Sequence, residues 1–522
     1  MAFQVSPGID IREIDLSTTV PSVGVNTGAI AGVFRWGPTD ERIRVRNEIE
    51  LVSTFGKPKR NFNQETFFTA ADYLAYTDSL YVVRVSDGNT AVASANTDIS
   101  ARYPGELGNS ISVLYADGGE FDTLVGGVKD FSRNAPSSNT NVTVVVLDTD
   151  GSFTGTANTV LEIWEDVGTE EGDKTYDGRN NYLIDVINEN SNYITVSESA
   201  NLEILTTAGA ATLTFTGGTD GSNEGTITYG TLTDGYDLFD NPEEVEIGIM
   251  MQGKALGTND YDLANYLISI CDARKDCLAF ISPARADVVS NAGNEATDVI
   301  AFADGLTSSS YAVMDSGYKY RYDKYNDMYT WVPLNGDIAG ITARTDDTRD
   351  PWFSPAGYNR GLIKNVIKLA WNPKQIDRDD LYQARVNPVI TQPGTGTLLF
   401  GDKTLLDLDS AFNRINVRRL FITIEKAIAR YAKSLMFEFN DEFTRAQFTN
   451  AVEPYLRDVQ GRRGIYDFRV VCDETNNTAE LIDRNEFRGD IYVKPARSIN
   501  FIQLNFVAVR TGVEFEEVVG RF

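Results

Sequence analysis

LYQARVNPVITQPGTGTLLFGDK, residues 381–403, and the approach to it, PWFSPAGYNRGLIKNVIKL, residues 351–369, decide how this chain is read. We read them as the joint between two domains, with α/β texture before and a cleanly patterned α+β third after. Little of their chemistry suits an active site. Within the joint, Gly396–Thr404, GTLLFGDKT, nearly spells the phosphate-binding pattern GxxxxGK[ST], but Asp402 stands between the second glycine and Lys403. That loop works by converging consecutive N–H groups and a lysine on phosphates. An inserted residue breaks the register, and a carboxylate repels the ligand.

Beyond the joint, Arg414–Phe437 is expected as a long amphipathic helix. Val417, Leu420, Phe421, Ile424, Ala427, Ile428, Tyr431 and Leu435 form one apolar stripe. At ~100° per residue, Arg419, Lys426, Arg430 and Lys433 fall together opposite that stripe. Residues 411–463 hold 10 bases and 6 acids in a strongly acidic chain. Segregated charge of this kind suits a face turned toward an acidic partner. Glu442–Arg463 is a second helix, expected to kink or restart at Pro454. The strands DFRVVCDE, DIYVKP and NFIQLNFVAVR follow.

Ahead of the joint, residues 23–100 read as α/β. A helix is expected over Glu65–Leu80, with Phe67, Phe68, Ala71, Leu74 and Ala75 on one side, and LYVVRVSD is a near-continuous apolar strand. At Tyr103 the texture changes. Short alternating strands (NVTVVVLD, TVLEIWED, NYITVSE, ATLTFTGG) are separated by turn residues up to about Tyr236. Residues 101–235 carry 21 acids and 5 bases, a net of −16 out of −28 for the chain. This quarter of the sequence is expected to be an inserted, outward-facing, mostly β domain. Asp148–Gly151 resembles the start of a calcium loop, but the glycine comes too early and no Glu closes the frame, so a turn is expected. Helix–strand units resume with Tyr261–Ala273 and CLAFISP. Tyr311–Pro333 is then rich in aromatic residues, read as packing or subunit contact.

Bulk properties narrow the function. With 522 residues and roughly 150 per domain, three or four domains are expected. A net charge of −28 argues against wrapping nucleic acid, which draws on Lys and Arg. The chain has no histidine, which removes Ser-His-Asp and Cys-His catalysis and His-containing metal sites. We expect no catalytic residue, no cofactor and no metal. Cys271, Cys277 and Cys472 have no zinc or CxxC spacing and read as buried thiols. No run approaches the ~18 apolar residues of a membrane span, and the start MAFQVSPGID has no leader pattern, so synthesis in the cytosol is expected.

The two chain ends share a device. Ile9 and Ile11 alternate with charged residues, the phase slips at Arg12-Glu13, and Ile14 and Leu16 resume it. Val513 and Phe515 alternate, Glu516-Glu517 breaks phase, and Val518 continues. Each reads as a short bulged strand, able to pack on its own sheet or to seek another sheet's edge.

SPGIDIREIDLSTTVPSV (6–23), YAVMDSGYKYRYDKYNDMYTWVPLNGDIAG (311–340), PWFSPAGYNRG (351–361), ARVNPVITQPGTGTLLFGDKT (384–404) and NVRRLF (416–421) closely resemble the tail sheath proteins of contractile-tailed bacteriophages. The resemblance spans nearly everything outside 100–235. It implies a multidomain α/β and α+β fold: an α/β protease-like core without the catalysis (21–100 and 237–392), an inserted mostly-β outer domain (101–236), and an α+β inner domain (393–509). It also implies terminal β-arms (1–20 and 510–522) exchanged between subunits. The expected function is that of a virion protein assembled in the host cytoplasm. It would polymerise with itself as stacked hexameric rings around the tail tube, between baseplate and tail terminator proteins, and contract to drive the tube through the host envelope. Rival readings are the sheath of a non-viral contractile injection device, a degenerate hydrolase, and a free adhesin built on the acidic insertion. The arms place Ile9, Ile11, Ile14, Leu16, Val513, Phe515 and Val518 at intersubunit contacts. Arg419, Lys426, Arg430 and Lys433 are expected to face the tube.

Overall fold

The computed structural model describes residues 24–123, 126–200, 202 and 211–500. Strand β1, Gly28–Gly32, reads GAIAG, and its small residues are what the packing demands. A Cβ on Gly28 would lie 2.6 Å from the Tyr73 ring, and one on Gly32 would lie 2.4 Å from Thr66 Cγ2. The helix carrying both residues therefore lies directly on the strand. Next come β2 (Arg42–Val45), α1 (Glu48–Phe55), α2 (Gln64–Leu74) and β3 (Leu80–Arg84). The one-sided helix expected over Glu65–Leu80 is corrected in two respects: it ends at Leu74, and every residue of it is buried. Its charges survive burial by pairing, Glu65 with Lys254 at 2.8 Å and Asp72 with Lys319 at 2.8 Å.

The chain then leaves the core through β4 (Thr90–Ala91) and returns through β11 (Thr219–Asp220), which pair antiparallel as a neck. Between them lie β5 (Ile99–Ala101), β6 (Ile111–Asp117), β7 (Asn141–Asp148), β8 (Thr159–Gly168), α3 (Leu183–Asn190), β9 (Ile194–Val196) and β10 (Ala211–Thr214). Four of these strands form an antiparallel sheet in the order β10-β6-β7-β8, and β5 pairs with β9. Val113, Val144 and Val146 pack with Leu183 and Ile187 of α3, and the core residue Trp36 joins this cluster edge-on to Phe153. Asp148 closes a turn as expected, accepting from the Gly151, Phe153 and Thr154 amides.

Helix α4 (Tyr229–Asp237) falls within the range expected for the insertion, but it packs on the core sheet. Gly235 lets it do so: a Cβ there would meet Val85 Cγ1 at 2.4 Å. The core continues with β12 (Ile249–Met251), α5 (Asp262–Arg274), β13 (Leu278–Ile281), α6 (Glu295–Asp304) and β14 (Ala312–Met314). The six-stranded sheet runs β14-β13-β12-β1-β3-β2, parallel except for β2. Leu232, Tyr236, Leu267 and Phe302 cover one face, and Leu51, Phe67, Phe68 and Ile338 cover the other. The three cysteines are buried and free, with the Cys271 and Cys277 sulfurs 3.4 Å apart.

Beyond the sheet come β15 (Tyr318–Asp323), β16 (Met328–Pro333), α7 (Asn335–Thr348), β17 (Lys368–Leu369), α8 (Gln375–Gln383), β18 (Val389–Gln392) and β19 (Gly396–Leu399). In the aromatic hairpin β15–β16, Tyr318 is buried, Tyr320 packs on Trp331 at 4.6 Å, and Tyr322 and Tyr329 remain exposed. The C-terminal part holds α9 (Ile415–Ala432), α10 (Glu442–Gly461), β20 (Ile465–Val471) and β21 (Asp490–Pro495). The stripe read from the sequence is the buried side of α9: Leu420, Ile424 and Ile428 pack with Val452, Leu456 and Val459 of α10. Each such side chain contributes about 1.5–3 kcal/mol. Helix α10 runs through Pro454 without restarting.

Candidate assembly surfaces

Residues 351–403 contribute side chains to two hydrophobic clusters. Trp352 is buried among Leu420, Ile424 and Val459, and its indole donates to the Arg462 carbonyl at 3.1 Å. Ten residues on, the chain has become a third strand-like segment beside β18–β19. There the Gly357 and Ile363 amides donate to the Leu399 and Thr397 carbonyls at 2.9 and 3.0 Å. Val389 and Leu399 of the hairpin pack in the core cluster beneath α2, together with Ile415 and Ile422 of α9. Asn387 pins the end of β14: its side-chain amide donates to the Met314 and Lys403 carbonyls, and its Oδ1 accepts from the Lys403 amide at 2.7 Å.

Asp402, the residue that spoils the phosphate-loop pattern, is buried and accepts from Arg414 at 2.9 Å and from Ser498 at 2.7 Å. Lys403 donates to the Tyr382 carbonyl at 2.6 Å, its ammonium 4.1 Å from the Tyr382 ring centre. Burial and the nearby Arg414 lower its pKa. Both residues belong to the joint, and the lysine is already engaged.

The basic face of α9 requires a correction. Arg419 is 1 % exposed. It pairs with Asp346 of α7 and donates to the Val25 carbonyl at 3.0 Å. Lys426 donates to the Ile247 carbonyl at 2.7 Å and lies 3.3 Å from Asp276, and burial depresses its pKa despite that partner. Arg430 is half-exposed and reaches Glu246 at 2.7 Å. Lys433 is exposed. The helix is sandwiched, with its apolar stripe on α10 and its basic face on the core. Arg419 and Lys426 are therefore internal clamps, and only Arg430 and Lys433 keep a solvent-facing surface.

Two other features of the C-terminal part do face outward. Among the described residues, β20 and β21 pair only with each other, so each leaves an open edge. Phe468, Val470, Ile491 and Val493 lie on the α10 side of this ribbon. Tyr466 and Tyr492 are 67 % and 61 % exposed. Second, the α9–α10 connection and the first turn of α10 expose Met436, Phe437, Phe439 and Phe443, a set that the sequence reading missed. Its signal was present in MFEFNDEF, where large apolar residues alternate with acids at the end of a helix. The arm residues Ile9, Ile11, Ile14, Leu16, Val513, Phe515 and Val518 lie outside the described residues.

Family models match about half of the chain, between residues 249 and 508. The phage tail sheath protein central domain covers residues 249–405, and the phage tail sheath C-terminal domain covers residues 407–508. The two meet within a few residues of Asp402. The tail sheath protein of Enterobacteria phage T4 is 33% identical over 663 aligned positions, spanning 99% of each chain. The chain belongs to the phage tail sheath proteins. The tail sheath protein of Vibrio phage KVP40 is 31% identical across 99% of this chain and 100% of its own.

Solved structures share the fold of this sheath protein at much lower identity. The sheath tail protein from Desulfitobacterium hafniense has a TM-score of 0.57 at 12% identity, covering 94% of this chain and all of its own. The anti-feeding prophage helical sheath in its contracted state has a TM-score of 0.54 at 14% identity, covering 97% and 99%. As a tail sheath protein of a contractile phage, the chain is a virion component.

Proposed function

We propose that this sheath protein is a non-enzymatic building block that polymerises as stacked hexameric rings around the tail tube, between baseplate and terminator proteins, after synthesis in the host cytoplasm. On triggering, the rings shorten and widen and drive the tube through the host envelope. The observation that carries this reading is the two-stranded ribbon β20–β21, which has both edges open among the described residues. Open edges are templates for another strand, and the sequences of the two chain ends alternate like strands, with a charged pair breaking the phase. In this reading, Ile9–Leu16 and Val513–Val518 add to the ribbons of neighbouring subunits.

The energetics favour exchange only in a lattice. Each arm forms about four to six backbone hydrogen bonds, worth ~0.5–1.5 kcal/mol net apiece. Association costs ~4–15 kcal/mol. One arm alone therefore holds weakly, whereas two arms per subunit in a closed network act together. Short hinges at Thr18–Val23 and Arg510–Gly512 would let rigid subunits rotate without detaching. Arg430 and Lys433 remain as the tube-facing charges of α9. Exposed ion pairs of ~0–1 kcal/mol each suit a contact that must break on triggering.

Deleting residues 1–16 tests the proposal. The truncated chain is expected to fold and to remain as single subunits by electron microscopy. Sheaths of normal appearance from that deletion would refute the exchange of N-terminal arms. A non-viral injection device is the second reading, favoured by fold likeness to the anti-feeding prophage sheath. The relatives above 30% identity are phage proteins.

A further inference from the structure

The core sheet reverses direction between β1 and β12. From β1 the chain moves to β3 with α2 on one face. From β12 it moves to β13 and β14 with α5 and α6 on the other. The crevice at the carboxyl ends of parallel strands at such a point is where open α/β sheets take their ligands. Here it is a cavity of about 160 Å³ lined by Gln64, Glu65, Asn223, Glu224, Lys254 and Arg285. A smaller pocket of about 10 Å³ adjoins it, reaching Val33 after β1 and Gln252 after β12.

A side chain of the protein itself already sits at the anion end of this crevice. Glu224 is buried, and its two oxygens accept from the Glu65 amide at 3.1 Å and the Thr66 amide at 2.9 Å. These are free N–H groups in the first turn of α2, which the residue before a helix ordinarily caps. Asn63 stands in that position and makes no cap bond, because its Oδ1 is taken by the Lys59 amide at 2.9 Å. The cap comes instead from more than 150 residues away, on the segment that has just returned from the insertion through β11. The Glu65 carboxylate is held by Lys254 at 2.8 Å, Arg285 at 3.4 Å and the Tyr318 hydroxyl at 3.1 Å.

A second observation points to a ligand in the same place. Gln252 is 2 % exposed, and its Oε1 accepts from the Ser282 amide at 3.1 Å. Its Nε2 donor has no partner, and Gln252 lines the small pocket that Glu224 also lines. Two helix N–H groups thus hold the Glu224 carboxyl, Lys254 pairs with the Glu65 carboxylate beside it, and an unpartnered buried donor lines the adjoining pocket.

We propose that this crevice is a carboxylate-binding site, that Glu224 is its built-in ligand, and that their contact fastens the root of the insertion to the core. The site takes a small free carboxylate, such as formate, once Glu224 is shortened. The test is amide hydrogen exchange on the full chain at pH 8, above the value of about 7 to which burial raises Glu224. In Glu224→Ala, the Glu65 and Thr66 amides are expected to exchange roughly tenfold faster, the scale of a lost helix cap. Residues 221–228 should then be cut more readily by protease. Sodium formate should restore most of the protection where sodium chloride at equal ionic strength does not. Unchanged protection in Glu224→Ala, or formate acting no better than chloride, would overturn the proposal. Should Glu224→Ala fail to fold, Glu224→Gln keeps the shape with one acceptor oxygen. One of the two amides should then exchange several-fold faster, and equal protection of both would count against the proposal.

Discussion

Arg419 places a guanidinium where 1 % of its surface meets water. Its partners are Asp346 and the Val25 carbonyl, from elements far apart in the chain. Removing one member of such a pair strands the other without solvent. Arg419→Met is therefore expected to cost about 3–5 kcal/mol in urea unfolding. Arg419→Met combined with Asp346→Leu should recover much of that loss, and Lys433→Met should stay within about 0.5 kcal/mol. Equal costs at 419 and 433 would restore the solvent-facing reading of Arg419. Asp315 offers a cleaner titration. It is buried, takes the Ser282 hydroxyl at 2.7 Å and the Gly317 amide at 2.9 Å, and is pushed by burial up to about 8. Its folded form holds a proton that the unfolded chain releases above about pH 4. Stability from this group is therefore greatest at low pH and is lost as pH rises toward about 8. Glu224 and Asp337, each pushed up to about 7 by burial, slope the same way. Asp315→Asn should flatten the fall in urea midpoint between pH 5 and 8, by a free energy on the order of several kcal/mol across that range. Parallel profiles for the two proteins would show that Asp315 ionises normally.

Among the elements, the connection between α9 and α10 is built against its own stability. Phe437 is fully exposed and has a φ of 72°, a left-handed conformation that a bulky side chain resists. Phe437→Gly should relieve that strain and raise the stability of the single subunit by up to about 1 kcal/mol, while weakening assembly if the ring serves a contact outside the chain. A loss of stability in the single subunit would mean that the ring is held by its own fold. How far elements were legible follows from where their partners come from. NVTVVVLD and DIYVKP are strands at the expected residues because alternation is local. The stripe of α9 was legible for the same reason. Its basic face was misread because a charge opposite an apolar stripe looks solvated. The residues that cover it, Val25, Asp276 and Asp346, lie 394, 150 and 73 positions away, and no local pattern announces them. Helix α4 was missed because TLTDGYD has the Thr, Gly and Asp texture of the insertion. Its docking on the core sheet depends on Gly235 fitting against Val85. The Glu224 cap was equally hidden, since its donors lie on the far side of the insertion.

For the whole molecule, the joint at 351–403 gives the account its mechanical sense. Trp352 roots one end in the C-terminal cluster, and Val389 and Leu399 root the other in the core cluster. With the clamps Arg419–Asp346 and Lys426–Asp276, the core and the inner helices are held as one piece. Under the proposed function, movement between extended and shortened sheaths would fall to the links between subunits rather than to bending within one. The insertion is tied to that frame by the two-strand neck, the Glu224 cap, the packing of Trp36 on Phe153 and the Lys59–Glu106 ion pair. The measurement that bears most directly on the central claim is negative-stain electron microscopy of the purified, intact chain. The account predicts rings and hollow tubes with sixfold end views. A field of separate single subunits at high protein concentration, with no ring or tube, would contradict it.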